Sequence, residues 1–355
     1  MRRNADFRQG CDDLVESATP ARFTRRALLR AAVFGQRNST YDDLWDPVHT
    51  TAQTAVTGQV LDVSPHLIVL QTRQASQAPH NPQAELRLAL SPSTTAWRGS
   101  AVAPAALRHG DHVVVRRHPS RGVAERIWAQ IGRVTGTIIE ARGGELLVDE
   151  GPAKGRKIVL IDKGSFRQIQ VRFPMLEPGY LIDVIGLRQQ GYLRALTHAT
   201  SQPPYRADHP PAPPLINGHI PLPINGTAVW HEPGEEPPGL LGVAYPALDP
   251  ETDCEPSPAT DEPFVVDPHT AGPGCVRLPY LSVGSAVRLH NECTDRTAVL
   301  PVTSCGATAR LFCDRCVECG TSPRGRIADL TVTAFVELGG DLEKGCFNAT
   351  LAIAG

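Results

Sequence analysis

The sequence predicts an all-β protein built from small barrels, and three observations carry this prediction. Glycine and proline are abundant, with 31 and 32 of the 355 residues, as expected for short strands joined by turns. A strand pattern is repeated within residues 54–200, and eight of the nine cysteines follow residue 250. We therefore expect two small β-barrels in tandem, followed by a third, disulfide-rich β-barrel.

The repeat occupies the first half of the chain. The segment VTGQVL at residues 56–61 recurs as VTGTII at residues 134–139, and each copy is followed by a second apolar strand. Each later reaches a Leu-x-x-Gly turn, ending at Gly110 and at Gly179, which precedes another strand. This pattern resembles tandem barrels of the oligonucleotide/oligosaccharide-binding (OB) type. The two expected domains are residues 54–130 and residues 131–202.

Residues 1–53 are expected to form a polar tail with a degenerate export signal. Arg25-Arg26 followed by Leu28-Leu29 is similar to the start of a twin-arginine signal. Arg30 interrupts the apolar stretch, which a working signal needs over about 7–15 residues. A short basic helix is the alternative interpretation.

A proline-rich linker is predicted before the last domain. Residues 203–223 contain eight prolines, and further prolines follow up to residue 238. This composition favours an extended, semi-rigid spacer. We therefore place the linker at residues 203–240 and the last domain at residues 241–355.

The charge is uneven along the chain. The net charge is −2, yet residues 242–355 carry 15 acidic against 8 basic side chains. So acidic a domain is a poor partner for nucleic acid, because that binding depends on neutralising phosphates. No apolar stretch approaches the roughly 18 residues that favour a membrane-spanning helix. We expect neither a nucleic-acid partner nor a transmembrane span.

The clustered cysteines predict a disulfide framework, and therefore an oxidising compartment. The Cys-x-x-Cys spacing of Cys313 and Cys316 also suits zinc, with Cys305 or His290 as a further ligand. The number of other cysteines favours disulfides, so no metal site is expected, and the pairing stays open. The eight cysteines are Cys254, Cys275, Cys293, Cys305, Cys313, Cys316, Cys319 and Cys346.

Two blocks near the C-terminus carry the most specific signal. Residues 278–291 read LPYLSVGSAVRLHN, a turn followed by an alternating strand. Residues 325–335 read GRIADLTVTAF, a strand followed by a helix that Thr331 would cap and Gly339-Gly340 would end. Both blocks are similar to motifs of the rare lipoprotein A, barwin and expansin group. This resemblance implies that residues 241–355 form a double-psi β-barrel.

The resemblance also implies a set of site residues. Asp329 matches the acid that the family retains before its helix, where it would act as a general acid or bind sugar. The family's second acid is missing from the segment around Thr303, so Asp249 is the candidate for a second carboxylate. The expected substrate-binding residues are Tyr245, Thr303 and Asp329.

Each candidate also has a structural interpretation. Asp329 could cap the following helix or pair with Arg326. Asp249 could belong to an Asp-Pro turn, and Tyr245 could lie in the core or at its rim.

Three functions remain open from the sequence. The first is an exported, extracellular or cell-wall-associated protein that binds or remodels a polysaccharide, such as peptidoglycan or a cellulose-like glycan, without strong catalysis. The second is a lytic transglycosylase or endoglucanase-like enzyme with Asp329 as general acid, although such enzymes usually need two carboxyl groups. The third is a purely structural secreted protein. No cofactor motif is recognisable, so no cofactor is expected, and the oligomeric state stays open.

Overall fold

The computed structural model describes residues 54–72, 84–151, 154–209, 223–232, 239–248, 276, 278–306, 308–314 and 324–353. These residues form mostly β-strands, with two short α-helices, and the strands close into three barrels. The expected all-β class with small barrels is confirmed. The N-terminal tail and its twin-arginine-like segment lie outside the described residues.

The first barrel consists of β1 (Ala55–Val63), β2 (Leu67–Thr72), β3 (Ala84–Trp97), β5 (His112–Arg117) and β6 (Val123–Ala129), with the short β4 (Ala101–Val102) at its edge. The main strands follow the order β1-β2-β3-β6-β5, and β5 pairs again with β1 to close the barrel. All these pairings are antiparallel except that of β3 with β6.

The second barrel consists of β7 (Ile131–Arg142), β8 (Glu145–Asp149), β9 (Arg156–Ile161), α1 (Lys163–Gln170), β10 (Leu181–Arg188) and β11 (Tyr192–His198). Its strands close in the order β7-β8-β9-β11-β10, with β9 and β11 parallel. The connectivity therefore repeats that of the first barrel, so the repeated strand pattern of the sequence corresponds to two barrels with the same strand order.

The Leu-x-x-Gly turns of the repeat have the same role in both barrels. Gly110 has a φ of 85° and Gly179 a φ of 90°, the left-handed region that glycine enters without steric cost. Helix α1 is the element that sequence patterning missed. It begins where the Asp162 carboxylate accepts a hydrogen bond from the Ser165 amide at 2.9 Å.

The third barrel consists of β12 (Ile224–His231), β13 (Val243–Tyr245), β14 (Ala286–Asn291), β15 (Arg296–Cys305), β17 (Arg324–Thr331) and β18 (Cys346–Ile353), with the short β16 (Cys313–Asp314) on the edge of β17. Its order is β12-β18-β14-β15-β13-β17, and β17 pairs with β12 to close the barrel. Two pairings are parallel, those of β12 with β17 and of β13 with β15.

The third barrel begins earlier in the chain than the sequence suggested. Strand β12 lies inside the expected linker of residues 203–240, where the prolines dominated the composition. Its residues Ala228 and Trp230 are buried in the barrel core, so the strand is an integral part of the barrel. The linker prediction was wrong for this segment, because every residue of β12 except Asn225 is buried, and this burial outweighs the composition around the strand.

The helix after β17 follows the sequence prediction. Helix α2 (Val332–Glu337) begins where the Thr331 hydroxyl accepts a hydrogen bond from the Ala334 amide at 3.3 Å. Gly339 follows with a φ of 85°, a left-handed conformation that ends the helix. A β-carbon on Gly340 would collide with the ring of Phe335, which explains the second glycine.

The three barrels pack against one another through a shared apolar core. Trp128 of the first barrel and Ile185 of the second belong to the same buried cluster as Trp230 of the third. The Glu337 carboxylate at the end of α2 also accepts hydrogen bonds from the Thr54 hydroxyl and the Ala55 amide, both at 2.7 Å. The third barrel is therefore in contact with both of its neighbours.

Candidate functional site

Asp329 lies on the outer side of the third barrel. Its neighbours Ala328 and Leu330 on β17 belong to the apolar core, so the alternation of side chains along the strand directs Asp329 the other way. That side faces the second barrel, and only 7 % of Asp329 remains exposed. The acid implied by the family resemblance therefore lies at a contact between two barrels.

Two cationic or ionisable groups contact the Asp329 carboxylate. Lys154, in the connection between β8 and β9 of the second barrel, places Nζ 3.5 Å from Oδ2. His231, at the end of β12, places Nδ1 3.2 Å from Oδ1 and is itself buried. The carboxylate is thus held between a lysine of one barrel and a histidine of another.

These contacts decide the protonation state of Asp329. Burial alone would raise the pKa of Asp329, but the charges of Lys154 and His231 oppose it and hold the pKa far below its usual range. The carboxyl group is therefore ionised at neutral pH. An ionised carboxylate cannot donate a proton, so the role of general acid expected for Asp329 does not fit its surroundings.

A second carboxyl group, Glu150, belongs to the same connection between β8 and β9. Its Oε1 accepts a hydrogen bond from the Thr135 amide at 3.2 Å, and its carbonyl accepts one from the Thr308 hydroxyl of the third barrel at 3.1 Å. Burial raises the pKa of Glu150, although Lys154 and Lys157 act in the opposite direction. Sequence patterning missed Glu150, because its contact with the third barrel, through Thr308, is distant in sequence.

The rim of this region is formed by a further ion pair. Lys157 on β9 places Nζ 2.7 Å from Oε2 of Glu232, which directly follows β12. The other carboxylate oxygen of Glu232 accepts a hydrogen bond from the Arg133 amide at 3.0 Å. We call the following six residues the seam cluster: Glu150, Lys154, Lys157, His231, Glu232 and Asp329.

The seam cluster is open to solvent on one side. The side chains of Lys154 and Lys157 are 25 % and 32 % exposed, whereas those of His231 and Asp329 are 4 % and 10 % exposed. The lysines therefore form the accessible edge, and the histidine and the aspartate form the floor. This arrangement places charged groups where two domains meet, a frequent position for ligand sites.

A second, fully buried ionic network fastens the same two barrels together. Asp183 on β10 accepts hydrogen bonds from Arg133 of its own barrel at 2.6 and 2.8 Å, and from Arg326 of the third barrel at 2.8 Å. The Thr200 hydroxyl donates a further bond to Asp183 at 2.7 Å. Arg326 thus pairs with Asp183, and the pairing with Asp329 considered above is not formed.

Tyr245 and Thr303 do not meet Asp329 in an open groove. Tyr245 is fully buried in the core of the third barrel, and its hydroxyl donates a hydrogen bond to the Pro279 carbonyl at 3.1 Å. Its neighbour Ala244 is the residue in register with Asp329, so the Tyr245 side chain lies on the opposite face of the barrel wall. Thr303 is 8 % exposed, and its hydroxyl donates a hydrogen bond to the Val243 carbonyl at 3.4 Å.

Tyr245 is therefore a residue of the barrel core, which was the structural alternative to a substrate-binding role. Burial raises the pKa of its phenol, which agrees with a hydroxyl enclosed by the barrel. Asp249, the expected second carboxylate, lies outside the described residues.

The cysteines are only partly within the described residues. Cys293 and Cys305 are disulfide-bonded. Cys346 is a buried thiol on β18 that packs against Val229, where a disulfide had been expected. The side chains of the remaining five, Cys254, Cys275, Cys313, Cys316 and Cys319, lie outside the described residues.

Among the described residues, no helix has the length and apolar character needed to cross a membrane, and no group of three or more acidic, histidine or cysteine side chains is arranged for a metal ion. No protein-family model matches the chain, and no curated protein matches it. The likeness to the rare lipoprotein A, barwin and expansin group therefore depends on the two C-terminal blocks.

Proposed function

We propose that the chain is an exported, cell-wall-associated protein that binds a polysaccharide along the seam between its second and third barrels. In this proposal Asp329 serves as an ionised acceptor for sugar hydroxyls. The polysaccharide is peptidoglycan or a cellulose-like glycan, and the third barrel has the double-psi fold that the resemblance implies.

The seam cluster is the observation that carries this proposal. Carboxylates accept hydrogen bonds and lysines donate them, so the cluster offers both kinds of partner to a hydroxyl-rich polymer. Its exposed edge, formed by Lys154 and Lys157, gives a polymer access from solvent. The buried floor at Asp329 would fix the orientation of a single sugar unit.

Two further observations support the fold and the compartment. The six-stranded closure, with two parallel pairings and a short helix directly after the Asp329 strand, favours a double-psi barrel. The disulfide bonding of Cys293 and Cys305 favours export, because disulfides persist in oxidising compartments.

Co-sedimentation of the purified full chain with insoluble peptidoglycan and with cellulose tests the proposal. We expect the chain to pellet with one of the two polymers, and Lys157→Met to weaken that binding about tenfold, equivalent to about 1.4 kcal/mol. Asp208→Asn, an exposed change outside the seam cluster, is the matched control and should bind like the parent chain. Failure to pellet with either polymer would contradict the proposal and leave the purely structural alternative.

A further inference from the structure

We infer that helix α1 (Lys163–Gln170) of the second barrel docks the chain on an anionic lipid surface. One side of the helix presents cations and apolar side chains together, a combination that suits the headgroup region of a membrane. This inference does not depend on polysaccharide binding, since α1 lies outside the seam cluster.

The two sides of α1 have different surroundings. Ser165 and Ile169, four residues apart, are buried, and Ile169 belongs to the apolar core of the second barrel. The other side follows the i, i+3, i+4, i+7 spacing of a single helix face, and its side chains are exposed. With the residue that ends the helix, this side forms what we call the basic face: Lys163, Phe166, Arg167, Gln170 and Val171.

Two large apolar side chains of the basic face lie in solvent. Val171 is 77 % exposed, the highest value for a large apolar residue in the described part of the chain. Phe166 is 37 % exposed, although aromatic rings usually supply core or interface contacts. Single apolar residues are common on protein surfaces, but these two share one short helix face with cations. The basic face therefore keeps apolar surface that the described residues leave uncovered.

The basic face also has an excess of positive charge. Lys163 and Arg167 are one helical turn apart, and neither has an ion-pair partner among the described residues. Helix α1 itself contains no acidic residue. The preceding carboxylate, that of Asp162, already accepts hydrogen bonds from the Ser165 amide at 2.9 Å and from Arg194 at 2.9 and 3.2 Å. Such a surface attracts an anion from outside the chain.

Barrel closure does not require a basic helix at this position. At the corresponding place in the first barrel, between β4 and β5, there is a 3₁₀ turn of three residues, Pro104–Ala106, without charged side chains. Both barrels nevertheless close with the same strand order. Ile169 accounts for the contribution of α1 to the barrel core, whereas the cations lie on the other side of the helix.

The basic face and the seam cluster lie at opposite ends of β9. Lys157, near the beginning of the strand, belongs to the seam cluster, and Ile161 at its end directly precedes the Asp162 cap of α1. At about 3.3 Å per residue, the strand separates the two regions by roughly 13 Å. Lipid at α1 therefore does not need any residue of the seam cluster.

An anionic membrane satisfies both properties of the basic face. Lipid phosphates accept hydrogen bonds from Lys163 and Arg167, and the boundary with the acyl chains takes up the side chains of Phe166 and Val171. A soluble polyanion would engage only the cations and would gain nothing from Phe166. The two classes of partner can therefore be separated by substituting cationic and apolar residues one at a time.

Flotation of the purified full chain with vesicles tests the inference. The vesicles consist of phosphatidylcholine alone or with about one quarter phosphatidylglycerol, in excess and at low ionic strength. We expect flotation with the anionic vesicles, little with the neutral ones, and a decrease as salt is added. Arg167→Gln should weaken partitioning about fivefold, the factor expected for one cation near an anionic surface. Phe166→Ser should weaken it by about tenfold, because it removes an apolar anchor.

Two matched controls lie outside the basic face. Arg121→Gln makes the same charge change on an exposed turn of the first barrel, and Val299→Ser removes an exposed apolar side chain from the third. Both should float like the parent chain. Circular dichroism checks that Phe166→Ser is folded, and Val171→Ser repeats the apolar test at a side chain that is 77 % exposed.

Three results would overturn the inference. The first is absence of flotation of the parent chain with anionic vesicles, whatever the outcome with polysaccharide. The second is flotation that Arg167→Gln weakens but Phe166→Ser and Val171→Ser do not, because that pattern indicates a soluble polyanion as the partner. The third is equal weakening by the two control variants. Pelleting with polysaccharide should be the same for Phe166→Ser and the parent chain, so failure of the binding proposal is measured separately.

Discussion

Arg326 of the third barrel donates a hydrogen bond to Asp183 of the second at 2.8 Å, and both side chains are buried. Arg133 binds the other side of the same carboxylate, so one negative charge lies between two positive ones. Burial by itself would raise the pKa of Asp183, but Arg133 and Arg326 lower it well below its usual range. The Asp183 carboxylate therefore links the second and third barrels through a buried ion pair, and Arg326 is its partner in the third barrel.

Asp183→Asn should destabilise the whole chain. The change leaves two buried arginines without their counter-charge, and breaking a buried ion pair in this way costs about 3–5 kcal/mol. Chemical denaturation, followed by circular dichroism, measures the loss. Asp208→Asn removes the exposed partner of Arg206, a pair screened by solvent, and should change the free energy of unfolding far less. Equal effects of the two changes would contradict the fastening role.

Local features of the fold could be predicted because local physics decides them. Gly110 and Gly179 mark turns that need a left-handed residue, and Thr331 marks a helix start, so the sequence alone located these elements. The connectivity of the two tandem barrels followed from their shared strand pattern.

The candidate site could be predicted only in part, because it depends on contacts that are distant in sequence. Asp329 was found from its motif, but its contact with Lys154 depends on how the second barrel packs against β17. Glu150 carries no local signal, since its neighbours across the seam come from the third barrel. The resemblance placed Tyr245 among the substrate-binding residues, whereas strand register places its side chain on the face of the barrel wall opposite to Asp329.

Lys154→Met should make the chain more sensitive to acid. The folded-state pKa of Asp329 is lowered, so its contribution to stability is present above its unfolded pKa of about 3.9 and is lost as the pH falls through the lowered folded value. Removing the Lys154 charge raises the folded pKa of Asp329, so acid unfolding should begin at a higher pH. Stability measured between about pH 2 and pH 6 tests this, with the exposed Lys163→Met as control. Identical profiles for the two variants would contradict it.

Glu150→Gln should have the opposite pH dependence. The folded-state pKa of Glu150 is raised, so the native state favours its protonated form, and that stability is lost as the pH rises from the unfolded value of about 4.3 through the raised value. Glutamine does not ionise and keeps the acceptor for the Thr135 amide. The melting temperature of the variant relative to the parent chain should therefore increase from pH 4 to pH 8. A difference that stays constant with pH would argue against a raised pKa.

Tyr245→Phe should affect stability and leave polysaccharide binding unchanged. The substitution removes the hydrogen bond to the Pro279 carbonyl, which is worth about 1 kcal/mol, and keeps the ring in the core. Tyr245→Ala would also leave a cavity and should cost about 3–5 kcal/mol. Denaturation gives both free energies of unfolding, and co-sedimentation gives the binding. If Tyr245→Phe weakened pelleting while the free energy of unfolding stayed unchanged, the Tyr245 hydroxyl would have to take part in polysaccharide binding.

Cys346 should react with thiol reagents only when the third barrel opens. Its side chain is 9 % exposed and packs against Val229, so the reagent cannot reach the sulfur atom in the native state. Without reduction, alkylation followed by mass spectrometry should modify Cys346 in denaturant and leave Cys293 and Cys305 unmodified, because those two are disulfide-bonded. When reduction precedes alkylation, Cys293 and Cys305 should be modified as well. Rapid native labelling of Cys346 would contradict its burial, and labelling of Cys293 and Cys305 without reduction would remove the disulfide support for export.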